Sequence, residues 1–583
     1  MMKKIIFYFL ALSILFVGCG AKKVKRHSEK EINLYFSVNI KTLDPIYADD
    51  LYSATLIGSI YQTLYQYHYL KRPYTLIPYV ARSMPEISDD GLTYTIKLRK
   101  GIYFQDDKCF PNGKGRELKA DDVIYSFKRL ADIKNRSTGW WIFNNRIVGL
   151  NEFREKSNSK EPTDYSMSVE GLKKLDDYTI QIKLTKPFPQ FKYLLAMSFT
   201  AIVPKEAVEY YKEEFSRHPV GTGPYMLKEW LPNNKIVLVR NPDYWDEYYP
   251  SEGMPEDVKN GLLADAGKKL PFLDKVNYFI YKEANTLWLN FLKGNIDMCG
   301  IPMEYFSTVI DENGNLREEF VKRGIILTKE PSLDLTYIGF NMEDPVVGKN
   351  KYLRLAIAYA YDVNYVIKYL YNNRAIRAKG PIPPGIFGYR KDIKNPWVEY
   401  NVEKAKEYLK KAGYPDGKGA PTLYYDCAGN SAISRKFSDF FVQSMNKIGL
   451  KVVVRNTTFP EFLDKLKNKK VQIFGGAWAA DYPDPENFLQ LFYGPNESPG
   501  SNAFNYKNKK YDELYEKMAV MPNGKERQKV IDQMVNILIE DIPCIFCTHR
   551  VAYGLRYPWV KNYKRNEMAS GTVKYLKIDY DNK

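Results

Sequence analysis

A chain of 583 residues exceeds what one hydrophobic core supports and implies two or three domains. Its 45% hydrophobic and 27% charged content is that of a globular protein and excludes a disordered or fibrous one. The net charge of +17 is spread among acids, not gathered in a block, so a nucleic-acid partner is not expected; attraction to anionic lipid or a lysine-rich proteome explains it equally well. The 48 Tyr, 30 Phe and 8 Trp suit clefts and interfaces, and they suit strand-rich folds too.

The N-terminus begins with a basic pair, Lys3 and Lys4, and a short apolar run from Ile5 to Val17. That run is too short to span a membrane in the usual way and reads as a signal peptide, residues 1–18. It ends in Phe16-Val17-Gly18-Cys19, which resembles a bacterial lipoprotein cleavage box, with Phe16 where such boxes prefer Leu. Cys19 is then the expected lipidation site, and residues 19–30 with Lys22, Lys23, Lys25 and Arg26 a polar tether. No later run reaches 18 apolar residues.

Glu31 to Ser37 reads as a first strand, and Leu51 to Tyr65 has helical spacing. Leu92 to Arg99 alternates as a strand after a turn at Asp89-Asp90-Gly91. Ala120 to Leu130 opens with acids suited to a helix N-terminus, and Leu175 to Leu184 reads as a hairpin-type strand. Leu353 to Ala360, ended near Asp362, and Ala405 to Ala412, stopped by Gly413, read as helices. Cys544 and Cys547 lie three apart in an apolar strand-like run, so they point to opposite faces and read as structural. The other body cysteines are Cys109, Cys299 and Cys427; five cannot all pair within the chain. His27, His68, His218 and His549 do not stand at ligand spacing, and no metal or cofactor is expected.

The most suggestive stretch runs from Trp478 to Leu489. It follows an apolar run, Val471 to Phe474, that is expected to end in Gly475-Gly476. Glycines leave room for another backbone alongside, Trp478 offers a flat apolar wall, Asp481 a negative charge, and the prolines stiffen the loop. This combination suits an extended ligand with a cationic end.

Four phrases, in order, resemble the family 5 extracellular solute-binding proteins, the peptide-binding lipoproteins of bacterial ABC importers. They are Pro78 to Asp122 with Leu98-Arg99-Lys100-Gly101; Val220-Gly221-Thr222-Gly223-Pro224-Tyr225 followed by Asn241-Pro242-Asp243-Tyr244-Trp245; Phe291 to Asp297; and Ala480-Asp481-Tyr482. The glycines of the second phrase read as a tight corner reaching positive φ. The resemblance implies a mixed α/β fold of the type II periplasmic-binding-protein kind: two lobes, a ligand cleft between them and an extra inserted domain. Lobe I would comprise residues 31–70, 190–335 and 555–583, the insert 71–189, and lobe II 336–554, with hinge crossings near Leu335 to Asn341 and Cys547 to Leu555.

It further implies that Asp481 pairs with the ligand α-ammonium and that Ala477 and Ala479, flanking Trp478, meet the peptide backbone. Asp49 and Leu51 match the facing segment, and Phe459 and Asn502 cleft-lining positions, with ordinary core the competing role for Phe459. Basic residues that hold the ligand carboxylate in the oligopeptide type are absent: Ala358, Gly475 and the neighbourhood of Ser434 stand in their places, with Arg435, Lys465 and Lys467 nearby. The implied partners are a peptide, an ABC permease with its ATPase, and the membrane through the lipid anchor; a monomer facing the periplasm or cell exterior is expected. The competing readings are the same fold with a metal chelate, haem or sugar as ligand, and a surface lipoprotein for adhesion or signalling. An enzyme is not expected, since Gly-x-Ser-x-Gly, His-Glu-x-x-His and phosphate-loop motifs are absent.

Overall fold

The computed structural model describes residues 30–429 and 432–580. The signal peptide, Cys19 and residues 20–29 of the tether lie outside the described residues. Among the described residues no helix is long and apolar enough to cross a membrane.

Two main sheets organise the chain. The first contains β1 (Glu31–Phe36), β2 (Tyr225–Leu231), β3 (Lys235–Arg240) and β4 (Lys275–Ile280) in the order β1-β4-β3-β2. The second is built on β5 (Ile326–Pro331), β6 (Asp334–Phe340), β7 (Leu423–Ala428), β8 (Val452–Thr457), β9 (Ile473–Ala479) and β10 (Cys544–Arg556). Among the described residues strand β10 is the longest, at 13 residues. Along one edge it pairs first with β6, from Cys544 to Thr548, and then with β5, from Val551 to Arg556. β5 and β6 are nearly continuous, so two long antiparallel strands cross the molecule together.

The buried residues divide along this crossing. One core runs from Ile32 to Ile578 and includes residues 71–189; a second runs from Leu333 to Cys547; a third, smaller one gathers Leu287 to Ile325 with Leu555 and Tyr557. This is the two-lobed fold expected from the sequence. The break between β5 and β6 falls at Ser332-Leu333, and β6 pairs inside the second sheet from Asp334 onward.

Local readings hold with informative exceptions. Helix α1 (Leu51–Ile60) starts where Asp50 accepts the amides of Tyr52 and Ser53 at 3.0 and 2.9 Å. It ends at Ile60, short of Tyr65, because the Gly221–Gly223 loop docks on its last carbonyl: Gly223 N donates to Ile60 O at 2.8 Å. A Cβ on Gly221 would sit 2.0 Å from that oxygen, and neither glycine has positive φ. Close approach, not a left-handed turn, therefore demands glycine there. Leu175 to Leu184 resolves into a hairpin, Leu172–Asp176 and Thr179–Lys183. Asp362 does not end the Lys351–Ala360 helix; it caps the next turn by accepting Tyr365 N at 3.0 Å.

Candidate functional site

β9 is bordered by β6 along its whole length, but β7 pairs with it only at Ile473 and Phe474. From Gly475 to Ala479 its other edge has no strand partner among the described residues. The strand does not end at the glycines; it runs through them to Ala479. The glycines leave room for aromatic rings, not for a second backbone. A Cβ on Gly475 would lie 2.3 Å from the Tyr425 hydroxyl, and one on Gly476 would lie 2.7 Å from the Tyr337 ring.

Beside this edge is a cavity of about 570 Å³, within the range of ligand sites. Ala477, Trp478 and Phe459 line it. Phe459 is the first residue of α2 (Phe459–Lys467) and is 61% exposed, so it is no core residue. Asp481 follows the strand end, open to water yet closely surrounded by protein. Loss of hydration raises its pKa above the ordinary carboxylate value, and a hydrogen bond from Asn487 acts in the opposite sense.

Asn487 is the organiser that sequence reasoning missed. It is fully buried; its Oδ1 accepts Trp478 Nε1 at 3.0 Å and Asp481 N at 3.1 Å, and its Nδ2 donates to Asp481 Oδ2 at 3.0 Å. One amide thus fixes both the aromatic wall and the carboxylate. Replacing it (Asn487→Ala) strands a half-buried indole N–H and an amide N–H. A stability loss of about 1–3 kcal/mol is expected, read by urea unfolding, and a shift in Trp fluorescence should accompany it.

The loop that carries Asp481 is held from both lobes. Tyr482 packs into the first core, where Tyr67, Tyr193 and Tyr482 stack in a row with centroid spacings of 6.4 and 6.1 Å. Asp484 and Arg527, on the opposite side, form a bidentate ion pair at 2.7 and 2.8 Å, with side chains 4% and 2% exposed. Glu486 accepts hydrogen bonds from the hydroxyls of Tyr482 and Tyr515. Gln190 Nε2 also donates to Asp484 Oδ1 at 3.5 Å, so lobe I meets this loop through Gln190 and Tyr193.

Asp49 and Leu51 sit elsewhere, at the start of α1. Asp49 pairs with Lys41 at 3.3 Å and Leu51 is 75% exposed; neither lines the cavity. Ala479 is exposed at the strand end. Asn502 is fully buried and its amide holds its own loop, donating to Tyr493 O at 3.0 Å and Tyr506 O at 2.9 Å; its neighbours Ser501 and Ala503 face the cavity instead. Of the basic residues considered, Lys467 lines the cavity and Lys465 is paired with Asp426 at 3.0 Å. Arg550, which the sequence did not single out, lines it as well. Among the described residues no His, Cys, Asp and Glu cluster suits a metal ion.

A two-lobed molecule with an open strand edge over an aromatic cavity is a binding protein in design. Residues 75–500 match the bacterial extracellular solute-binding proteins, family 5 Middle, and the chain belongs to that family. Its members are transport binding proteins, not enzymes. The chain is 28% identical over 505 residues to heme-binding protein A of Haemophilus influenzae, covering 85% of this chain and 83% of that protein. It is 26% identical over 485 residues to the dipeptide-binding protein of Escherichia coli, covering 82% of each. The structure of the ABC transporter-associated periplasmic binding protein DppA from Helicobacter pylori, in complex with peptide STSA, superposes with a TM-score of 0.70 at 27% identity, over 94% of this chain and 98% of that one.

Proposed function

We propose that this protein binds peptides in extended form between its lobes and delivers them to the permease of an ABC importer, held at the membrane by lipid on Cys19. The observation that carries the reading is the unpaired Gly475–Ala479 edge of β9, which ends beside a carboxylate. A bare strand edge binds a peptide main chain of any sequence by adding it to the sheet, while cavities alongside take the side chains. Asp481 then receives the peptide α-ammonium, and Trp478 with Phe459 forms apolar walls. The relatives named for dipeptides and solved with a peptide support this ligand class. The separate core from Leu333 to Cys547 supports a lobe II of about the proposed extent, residues 336–554. The 71–189 segment shares its core with lobe I and is best viewed as an elaboration of it.

The test is calorimetry with one peptide in free and N-acetylated forms against the wild type and Asp481→Ala. A hydrogen bond to a charged group contributes about 1.5–3 kcal/mol. Acetylation should thus weaken binding by about 10- to 150-fold, and Asp481→Ala should remove most of that difference. Equal affinity for both forms in the wild type would exclude Asp481 as the amine anchor.

A further inference from the structure

The cavity beside β9 has a one-sided charge. Its ionisable side chains of full charge are Lys467 and Arg550, and neither Asp nor Glu lines it among the described residues. The rest of the wall is chiefly aromatic, with Phe437, Phe462, Tyr361 and Tyr371 among its members. The wall is apolar by area and its charged lining is cationic, with Asp334 behind it already paired to Arg550, and such a wall suits a bulky apolar group that carries an anion.

Arg550 is built to hold that anion. Asp334, whose side chain is 4% exposed, fixes it twice: Oδ2 accepts Nε at 2.5 Å and Oδ1 accepts the backbone N–H at 2.9 Å. Guanidinium offers five N–H donors in a rigid plane, and only the Nε donor is spent on Asp334. The two Nη groups make no hydrogen bond among the described residues, and the side chain is 48% exposed, on the cavity wall. Asp334 therefore aims the fork and leaves its two-nitrogen edge open, the geometry that grips a carboxylate through two parallel bonds.

We propose that this cavity receives a carboxylate-bearing, bulky apolar portion of the bound peptide, with the Arg550 guanidinium as the group that holds the carboxylate. The proposal rests on the peptide-binding reading above. It assigns to β10 the anion anchor that is missing from Ala358, Gly475 and Ser434. The carboxylate comes from the peptide C-terminus or from an acidic side chain; both present the same chemistry to the fork.

The experiment is calorimetry with Ala-Phe, Ala-Ala-Phe and Ala-Ala-Ala-Phe, each as free acid and C-terminal amide, and with the amides carrying Glu before Phe. Matching peptides ending in Ala test the apolar wall. With wild type, the tightest-binding free acid should lose tenfold or more on amidation and tenfold or more when Phe becomes Ala. Arg550→Gln should bring acid and amide to within about twofold of each other. Arg550→Lys, which retains the charge that faces Asp334, should keep an intermediate ratio; it decides the matter if the Gln variant fails to fold. Rescue of the amide by the internal Glu, lost again in Arg550→Gln, assigns the carboxylate to a side chain. Peptides that bind wild type with the same acid-to-amide ratio in both variants would overturn the Arg550 assignment alone. Absence of binding by every peptide would overturn it together with the peptide reading.

Discussion

Asp484→Ala is expected to lower the unfolding free energy by about 3–5 kcal/mol, because it leaves Arg527 charged and buried without its carboxylate. The pair is bidentate and almost fully enclosed, and Arg527 has no second carboxylate: its other bonds go to Met518 O, Met518 Sδ and Asn523 Oδ1. Urea unfolding of the single variants and of Asp484→Ala/Arg527→Met separates the two causes. The double variant should recover much of the loss, since removing both charges removes the desolvation penalty along with the attraction. Equal stability of Asp484→Ala and wild type would show that water reaches Arg527. The pair also sets the site. Asp484 lies three residues after Asp481 and anchors the loop to α4 (Lys525–Asp541), after α3 (Lys509–Ala519), whose Tyr515 bonds Glu486. A folded Asp484→Ala protein should accordingly bind peptide more weakly although no ligand contact is removed.

The second large effect is on acid stability. His549 is 1% exposed, and its Nδ1 lies 2.7 Å from Asp334 O, so that nitrogen carries the proton and donates. Burial pulls its pKa from 6.5 down to about 4. Between those values the unfolded chain binds a proton that the folded one refuses, so folding stability falls as pH drops from about 6.5 to about 4. At 1.36 kcal/mol per pKa unit the full loss is about 3 kcal/mol. His549→Gln should show a pH 7 to pH 4 decline smaller by about that amount in chemical unfolding, with carboxylate contributions common to both proteins. Parallel declines would show that His549 titrates normally.

What the sequence made legible followed from local rules. Periodicity located the Ala120 and Lys351 helices, a glycine stop located the end of the Val402–Lys411 helix, and the run from Trp478 to Asp481 announced itself by an aromatic, a carboxylate and prolines in a row. The remainder depended on distant partners. Gly475 and Gly476 look like openings in the sequence, but Tyr425 and Tyr337 fill the space above them. Arg550 is one residue in an apolar strand until Asp334, 216 positions earlier, is brought beside it. Asn487 lay within the suggestive stretch, yet an asparagine in a Pro-punctuated loop usually serves the turn itself. Asn502, by the same ambiguity, turned out to serve its loop.

Strand β10 has one more consequence, for the order in which the molecule assembles. It lies close to the C-terminal end, from Cys544 to Arg556, while its partners Met298–Gly300, β5, β6 and Ala375–Arg377 are made long before it. The second sheet lacks a central strand until this segment arrives, whereas the first sheet closes with strands no later than Ile280, so it is the second core that cannot reach its native state early. Closing such long loops is slow. A chain emerging from a ribosome or a membrane pore therefore has the strands of its first sheet in hand early, while the second sheet is completed only by its near-terminal strand.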